Sequence, residues 1–158
     1  HGSTAINNLS TYMKSLDIIQ QYQVDILYPG HGPIINNVNQ KIDEYRNHRL
    51  NRIKDIINYL QQQQQQLYSI IDIISYIHPS LNHQSSLSVF AAKNIILTID
   101  KIHLDQPNLI KEVTIIDNSN NKNDYMIQYY QQYQDKYYQP YDERIISILK
   151  EKIKFKIN

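Results

Sequence analysis

One histidine in this chain stands between two glycines, and an imidazole held in such a setting can bind a metal ion. The chain has three glycines in all, and two of them, Gly30 and Gly32, flank His31. Glycine suits a backbone that needs a positive φ or a close approach to a ligand. Pro29 and Pro33 restrict φ on either side and stiffen the segment. PGHGP therefore predicts a rigid structural loop that presents His31 as a metal ligand, against the alternative of a tight turn with a solvent-exposed histidine.

A second candidate site is a run of basic residues that follows the histidine loop. His48, Arg49 and Arg52 lie in one short stretch, with Arg46 just before them. Cationic side chains on one helix face could contact the phosphates of RNA without reading its bases. The alternative is a solvated helix face, on which these cations pair with acidic residues three or four positions away. Both interpretations stay open at this point.

Hydrophobic periodicity predicts the elements that must position these residues. Apolar side chains spaced three and four apart predict amphipathic helices over residues 4–22 and 39–60. Between them, residues 24–28 form a short β-rich run that ends at a Pro-Gly pair. We expect a buried strand there, leading into the histidine loop.

A tract of six glutamines, residues 61–66, marks a boundary in the chain. Such a tract is typical of a linker or of a helix extension. Beyond it, Ser69 is suited to cap a helix that ends at His78. Residues 87–102 return to helical spacing and predict a second helix in this part of the chain.

Two strands are predicted over residues 113–116 and 125–129, around a polar loop. Two helices followed by a two-stranded ribbon indicate a winged helix-turn-helix. The last segment, residues 142–157, predicts a closing helix or a strand, and its alternating lysines would protect an edge strand from self-pairing. The tyrosines of residues 125–141 could stack on single-stranded bases, or fill the core and an insertion in the wing.

Composition excludes several classes of protein. The chain has 158 residues, no cysteine, and a formal charge of +1. Nearly balanced charge leaves no global field for a polyanion, and the absence of cysteine excludes a disulfide-stapled scaffold. No apolar run approaches the roughly 20 residues that cross a bilayer, and the first residues lack the features of a secretory signal. We therefore expect no membrane partner and no secretion.

The sequence YPGHGP, followed by KIDEYRNHRLNR, resembles the end of the catalytic domain in the metallo-β-lactamase superfamily, closest to its beta-lactamase-like protein 2 group of endoribonucleases. HGSTAINNLSTYMKSL resembles the helix after the bridging metal ligand in that family. SIIDIISYIHPSL and AAKNIILTIDKI resemble its C-terminal winged-helix domain. The resemblance implies an α/β fold, with residues 1–60 as the C-terminal segment of an αββα catalytic domain. Residues 61–66 would be a linker or helix extension, and residues 67–158 an α+β winged-helix-like domain, so that the chain is largely helical.

The resemblance also implies a chemistry. Enzymes of this family hold two zinc ions between their sheet edges, and His31 corresponds to the last histidine ligand, on the second ion. Two zinc ions would activate a hydroxide that attacks a phosphodiester of single-stranded RNA, with no side-chain nucleophile. The family's H-x-H-x-D-H motif, its third metal-site histidine and its bridging aspartate are absent here, and the other histidines offer no i, i+4 pair. We expect the chain to be the C-terminal part of a longer hydrolase, or a decayed gene product, and to be inactive alone.

Two alternatives remain. One is a thioester hydrolase like glyoxalase II, which uses the same metal site but usually surrounds the matching histidine with a different motif. The other is a non-catalytic winged-helix binding module, in which His31 is a relic. The resemblance suggests the mitochondrial matrix or the cytoplasm as the compartment.

Overall fold

A computed structural model describes residues 6–62, 67–81, 86–114, 148 and 153–157. Within these ranges the chain forms four helices and two strands: α1 Leu9–Gln21, α2 Val38–Gln61, α3 Ile70–Ile77, α4 Ser86–Asp105, β1 Ile110–Thr114 and β2 Ile153–Ile157. The chain divides into two compact units, His1–Ile53 and Lys54–Asn158, and the division falls within α2. Among the described residues, no helix combines the length and the apolar character that a bilayer crossing requires.

The first unit is built around a small apolar cluster between α1 and the beginning of α2. Its buried members are Leu16 on α1 and Val38 and Ile42 on α2, and partly buried hydrophobic side chains surround them. α1 begins after Asn8, whose Oδ1 accepts a hydrogen bond of 2.9 Å from the backbone N–H of Thr11. The two helices predicted from hydrophobic periodicity are confirmed, because each turns its apolar stripe towards this cluster.

The buried strand predicted over residues 24–28 is wrong. Val24 is 37% exposed, Ile26 47% and Tyr28 73%. Within the described residues, the backbone pairing of this run is an isolated antiparallel bridge between Leu27 and Ile35. A run of β-forming residues makes a stable strand only where neighbouring strands pair with its whole length and cover one of its faces. A single bridge pairs one residue and covers no face.

The second unit begins with a helix whose start was predicted correctly. Ser69 Oγ accepts a hydrogen bond from the Asp72 backbone N–H at 3.2 Å, and Asp72 Oδ2 accepts one from the Ser69 N–H at 2.8 Å. This reciprocal pair is a capping box, which satisfies two backbone donors at the start of α3. The helix ends at Ile77, before the predicted stop at His78. Its inward face is completely buried, through Ile70, Ile73 and Ile74.

α4 is buried over most of its described surface. Its buried side chains extend from the second turn to the fifth: Ala91, Ala92, Ile95, Ile96, Leu97, Thr98, Ile99 and Ile102. Five consecutive buried residues, 95–99, reach more than one side of the helix, so its middle is surrounded by other parts of the unit. α4 is therefore the central helix of the second unit.

A two-stranded antiparallel sheet follows α4, and one further residue pairs with the far side of β2. β1 pairs with β2 in a register that sets Glu112 opposite Phe155. On its other side, Phe155 exchanges two backbone hydrogen bonds with Tyr68, of 2.8 and 2.9 Å. The spatial order is thus Tyr68, β2, β1, and Phe155 is completely buried.

Several strand predictions need correction. β1 begins at Ile110, three residues before the predicted start, and the predicted strand over 125–129 lies outside the described residues. The final segment contains both predicted alternatives, because Ile148 is helical and buried while β2 is a strand. The edge-strand interpretation of the lysines agrees with the place of β2 in a two-stranded sheet, except at Phe155, where Tyr68 pairs with the other side of β2.

Tyrosines contribute to the interior of the second unit. The rings of Tyr59 and Tyr76 stack with centroids 4.2 Å apart, and Tyr59 also contacts Tyr68 at 4.6 Å. Burial, followed by the nearby Asp72 carboxylate, raises the pKa of the Tyr59 hydroxyl. These three rings form an aromatic group where α2, α3 and the sheet meet. The tyrosines of residues 125–141 lie outside the described residues.

Candidate functional site

The loop that carries His31 is closed at its base by a pair of backbone hydrogen bonds. The N–H of Leu27 donates to the carbonyl of Ile35 at 2.9 Å, and the N–H of Ile35 donates to the carbonyl of Leu27 at 3.0 Å. Both side chains are partly buried against the apolar cluster of the first unit. The loop therefore projects from a fixed base, and His31 is exposed beyond it.

The two glycines of this loop differ in their need for conformational freedom. Gly32 has a φ of +93°, a value that side-chain-bearing residues rarely adopt. Gly30 has no positive φ, and a Cβ at either glycine would meet nothing within 4 Å. The positive φ expected of glycine is thus confirmed for Gly32 and absent at Gly30, where a close approach to a ligand stays a prediction. Pro29 and Pro33 border these positions, as expected for a stiffened loop.

α2 begins directly after the loop. Asn37 Oδ1 accepts a hydrogen bond of 3.3 Å from the backbone N–H of Gln40, and Asn37 Nδ2 donates to Gln40 Oε1 at 3.0 Å. This side-chain cap fixes the first turn of α2. The loop is consequently held between a backbone bridge and a capped helix.

A metal site around His31 needs further ligands, and the described part of the chain does not bring them to it. One group of imidazole and carboxylate side chains in these ranges is spaced to hold an ion, and it consists of Asp100, His103 and Glu112, without His31. A catalytic zinc site has at least three protein ligands. The residues described here therefore do not fit the two-ion site that the family resemblance implies.

Arg46 is occupied by contacts within the first unit. Its Nη2 lies 2.7 Å from Asp17 Oδ1 and 3.0 Å from Gln20 Oε1, both on α1, while its Nη1 lies 2.8 Å from Asp43 Oδ1. These contacts tie α1 to α2 and neutralise the guanidinium. For Arg46, the interpretation as an internally paired helix face is the one that the structure supports.

The three candidate phosphate-binding residues lie together on α2. Arg49 is placed over the ring of Tyr12, with its guanidinium carbon 5.6 Å from the ring centroid. His48 is exposed. It lies four positions before Arg52, which places the two residues on one helix face. Partial burial, together with the positive charges of Arg49 and Arg52, lowers the pKa of His48. At neutral pH the two arginines therefore carry most of the positive charge of this group.

The sequence did not predict a group of two carboxylates and one imidazole that lie close together in the second unit. Asp100 and His103 are three residues apart on α4, and Glu112 comes from β1. One ligand atom from each lies within 4.8 Å of the others, and all three residues are partly buried. A search for histidine pairs at i, i+4 cannot find this group. The detectable signal was the D-x-x-H spacing on a predicted helix.

Comparison with known proteins supports the family resemblance over part of the chain. The chain is 31% identical over 104 residues to a beta-lactamase-like protein 2 homolog from Caenorhabditis elegans, which covers 66% of this chain and 34% of that protein. It is 37% identical over 65 residues to an atrochrysone carboxyl ACP thioesterase from Aspergillus chevalieri, over 41% of this chain and 21% of that protein. It is also 33% identical over 60 residues to the lactamase-like protein nscB from Aspergillus fumigatus, over 38% of this chain and 18% of that protein.

These relatives confirm the predicted resemblance to beta-lactamase-like proteins, at about 30–37% identity. No protein-family model matches the chain. The chain spans about a third or less of the length of these three relatives. Their names support a hydrolase family of the metallo-β-lactamase type, in which metal binding is expected.

Proposed function

We propose that this chain is part of a metal-dependent hydrolase of the metallo-β-lactamase superfamily, and that the complete enzyme is an endoribonuclease acting on single-stranded RNA. In this proposal residues 1–60 are the last segment of the αββα catalytic domain, and residues 67–158 form a winged-helix-like domain. His31 would contribute one ligand to the second of two zinc ions, and zinc would supply the Lewis acidity that such hydrolases need. The remaining ligands have to come from residues other than those described around His31.

The arginine pair on α2 is the observation that carries the RNA assignment. Arg49 and Arg52 lie three residues apart on α2, and both contribute to the lowered pKa of the exposed His48. Two cations close to one exposed imidazole form a local positive group of the kind that contacts RNA phosphates.

Exposed apolar side chains around the histidine loop support a larger catalytic domain. Ile18 is 51% exposed, Tyr22 74%, and Ile34 53%, and Ile26 and Tyr28 are exposed as well. Apolar surface concentrated in one part of a chain is typical of a face that packs against other protein. This is the arrangement expected where further strands and helices complete the domain.

The order of elements in the second unit supports the winged-helix assignment. The end of α2, the bridge residue Tyr68, α3, α4, β1 and β2 follow one another, and Tyr68 and β1 pair with opposite sides of β2 at Phe155. The burial of α4 argues against a role as a helix that reads nucleic-acid bases. Lys101, one of its cations, is paired with Asp105. We therefore favour a part of an enzyme over an independent winged-helix binding module.

Binding of a labelled single-stranded oligoribonucleotide, measured by fluorescence anisotropy over a range of salt, tests the RNA assignment. Replacing both Arg49 and Arg52 with Gln should weaken binding and reduce the magnitude of the salt slope by about 1.4, since each single-strand phosphate contact contributes about 0.7. The matched control replaces Lys41 and Lys101 with Gln, which removes the same charge at two positions outside this group. Equal effects of both double variants would contradict the proposal.

Hydrolysis is tested separately. With zinc added, we expect this chain alone to cleave neither RNA nor a thioester at a measurable rate. Robust turnover that His31→Ala abolishes would contradict the assignment of an incomplete site.

A thioester hydrolase is the second candidate, because the relative from Aspergillus chevalieri is named a thioesterase. The longer protein that contains this segment should be assayed on single-stranded RNA and on hydroxyacylglutathione thioesters. A clear preference for the thioester would replace our first choice with the glyoxalase II-like alternative. Localisation in the mitochondrial matrix or the cytoplasm remains a prediction.

A further inference from the structure

We propose that Asp100, His103 and Glu112 form a binding site for a divalent transition-metal ion in the second unit. The three side chains meet where the end of α4 faces β1, and their ligand atoms lie within 4.8 Å of one another. His31 belongs to the other compact unit of the chain. This inference therefore does not depend on the proposed hydrolase function.

The orientation of His103 is the strongest argument. Its Nε2 lies 2.9 Å from the carbonyl oxygen of Ile110. A carbonyl oxygen only accepts hydrogen bonds, so Nε2 must carry the proton and donate. In the neutral ring the lone pair is then on Nδ1. An imidazole that donates one N–H to a backbone carbonyl and presents its other nitrogen is the usual state of a metal-binding histidine.

Nδ1 of His103 faces a carboxylate at the spacing of two ligands on one ion. The distance from Nδ1 to Glu112 Oε1 is 3.7 Å, which is too long for a direct hydrogen bond. Zinc bonds of about 2.1 Å at tetrahedral angles place two ligand atoms about 3.4 Å apart. A shift of a few tenths of an ångström would therefore bring both atoms into coordination.

The backbone holds the two sides of the site together. Asp100 and His103 lie three residues apart, on the same face of α4. After α4, the N–H of Gln106 donates to the carbonyl of Ile102 at 2.7 Å, and that of Leu109 donates to the carbonyl of Gln106 at 3.0 Å. This tight turn leads directly into β1, which carries Glu112. The backbone that carries the three ligands is therefore already ordered before an ion binds.

The charge and chemistry of the donors favour an ion of borderline softness. Two carboxylates and a neutral imidazole carry a charge that matches a divalent cation. The neighbouring ammonium of Lys101 is paired with Asp105, outside the group. One nitrogen and two oxygen donors suit zinc and its neighbours in the first transition row. Three protein ligands leave at least one position for water, and the bound ion would crosslink α4 to β1.

Zinc titration of the whole chain, by calorimetry with thermal unfolding as a second readout, tests this inference. We expect saturable binding and a higher Tm with zinc. Asp100→Asn and Glu112→Gln keep the side-chain shapes, and each should weaken zinc binding about tenfold or more, as should His103→Gln. Asp25→Asn is the matched control, because Asp25 is an exposed carboxylate in the other compact unit, and it should leave zinc affinity unchanged.

Two further measurements test whether a variant has lost its structure and whether the ion binds at another site. Circular dichroism without metal should be the same for Asp100→Asn, Glu112→Gln and the parent chain. Cobalt, used as a spectroscopic substitute for zinc, should give visible absorption bands that the Glu112→Gln variant loses. Zinc binding that disappears in His31→Ala but survives in the Asp100 and Glu112 variants would overturn the proposal, and so would the absence of saturable binding below millimolar zinc.

Discussion

Leu27 and Ile35 exchange two backbone hydrogen bonds and thereby close the loop that carries His31. Their side chains also reach the apolar cluster formed by Leu16, Val38 and Ile42. The position of the histidine is therefore coupled to the packing of α1 on α2, although His31 itself is exposed. Stability of the cluster and presentation of the imidazole should change together.

The two loop glycines offer a matched pair for testing backbone strain. Gly32→Ala should destabilise the first unit by about 1–2 kcal/mol, because the Cβ of alanine makes a φ of +93° sterically unfavourable. Gly30→Ala should be close to neutral, since Gly30 has no positive φ and its Cβ would enter open space. Hydrogen exchange of residues 27–35 measures both effects locally. Equal protection in the two variants would contradict this account.

Phe155 should be among the most sensitive positions in the second unit. It is completely buried and pairs through its backbone with both Tyr68 and β1. Phe155→Ala should reduce the free energy of unfolding by about 3–5 kcal/mol, because the deletion leaves a cavity. Urea unfolding followed by circular dichroism measures this loss. Phe90→Ala is the control, since Phe90 is 49% exposed, and a comparable loss there would argue against the described core.

The capping box at the start of α3 predicts a moderate and specific effect. Ser69→Ala removes the acceptor for the Asp72 N–H and should cost about 1 kcal/mol. Ser69→Thr retains the hydroxyl and should retain most of that stability. Thermal unfolding distinguishes the three proteins. If the alanine variant has the same Tm as the parent chain, the cap does not contribute to the stability of the protein.

His48 should make the stability of the first unit depend on pH. Its folded-state pKa lies below the ordinary value of 6.5, because burial and then the charges of Arg49 and Arg52 disfavour the imidazolium. The unfolded state therefore binds the proton more readily, so the stabilising contribution is complete above pH 6.5 and is lost as pH falls through the lower folded pKa. A titration of the His48 ring by NMR should show the depressed midpoint.

Variants at the neighbouring arginines separate the causes of this shift. Replacing Arg49 and Arg52 with Gln should move the His48 midpoint upward, towards 6.5, but not fully to it, because burial is the largest cause. His48→Gln should flatten the pH dependence of unfolding below pH 6.5. An unshifted midpoint in the parent chain would contradict the convergence of charge on which the RNA proposal rests.

Local patterns predicted the helices of this protein well. The periodicity of α1 and α2 reports directly which side of each helix is buried, and Ser69 marks the start of α3 through a short-range hydrogen bond. These features depend on residues a few positions apart. They can be recognised without knowing the rest of the fold.

The strands and the mixed carboxylate-imidazole group could not be predicted in the same way. Residues 24–28 have the composition of a strand, yet strand formation depends on distant partners that composition does not reveal. β2 pairs with β1 and, at Phe155, with Tyr68, and both are contacts between residues far apart in sequence. Glu112 likewise joins Asp100 and His103 only through the turn between α4 and β1.

The pairing of Tyr68 with Phe155 has a consequence for synthesis of the chain. Tyr68 lies near the start of the second unit and Phe155 lies in β2. Closing such a long loop is slow compared with forming a helix. While a ribosome is still translating, α3 and α4 can form, but the sheet cannot close until residues 153–157 have left the exit tunnel. Until then, the apolar surface of α4 that the sheet will cover is exposed to chaperones and to other nascent chains.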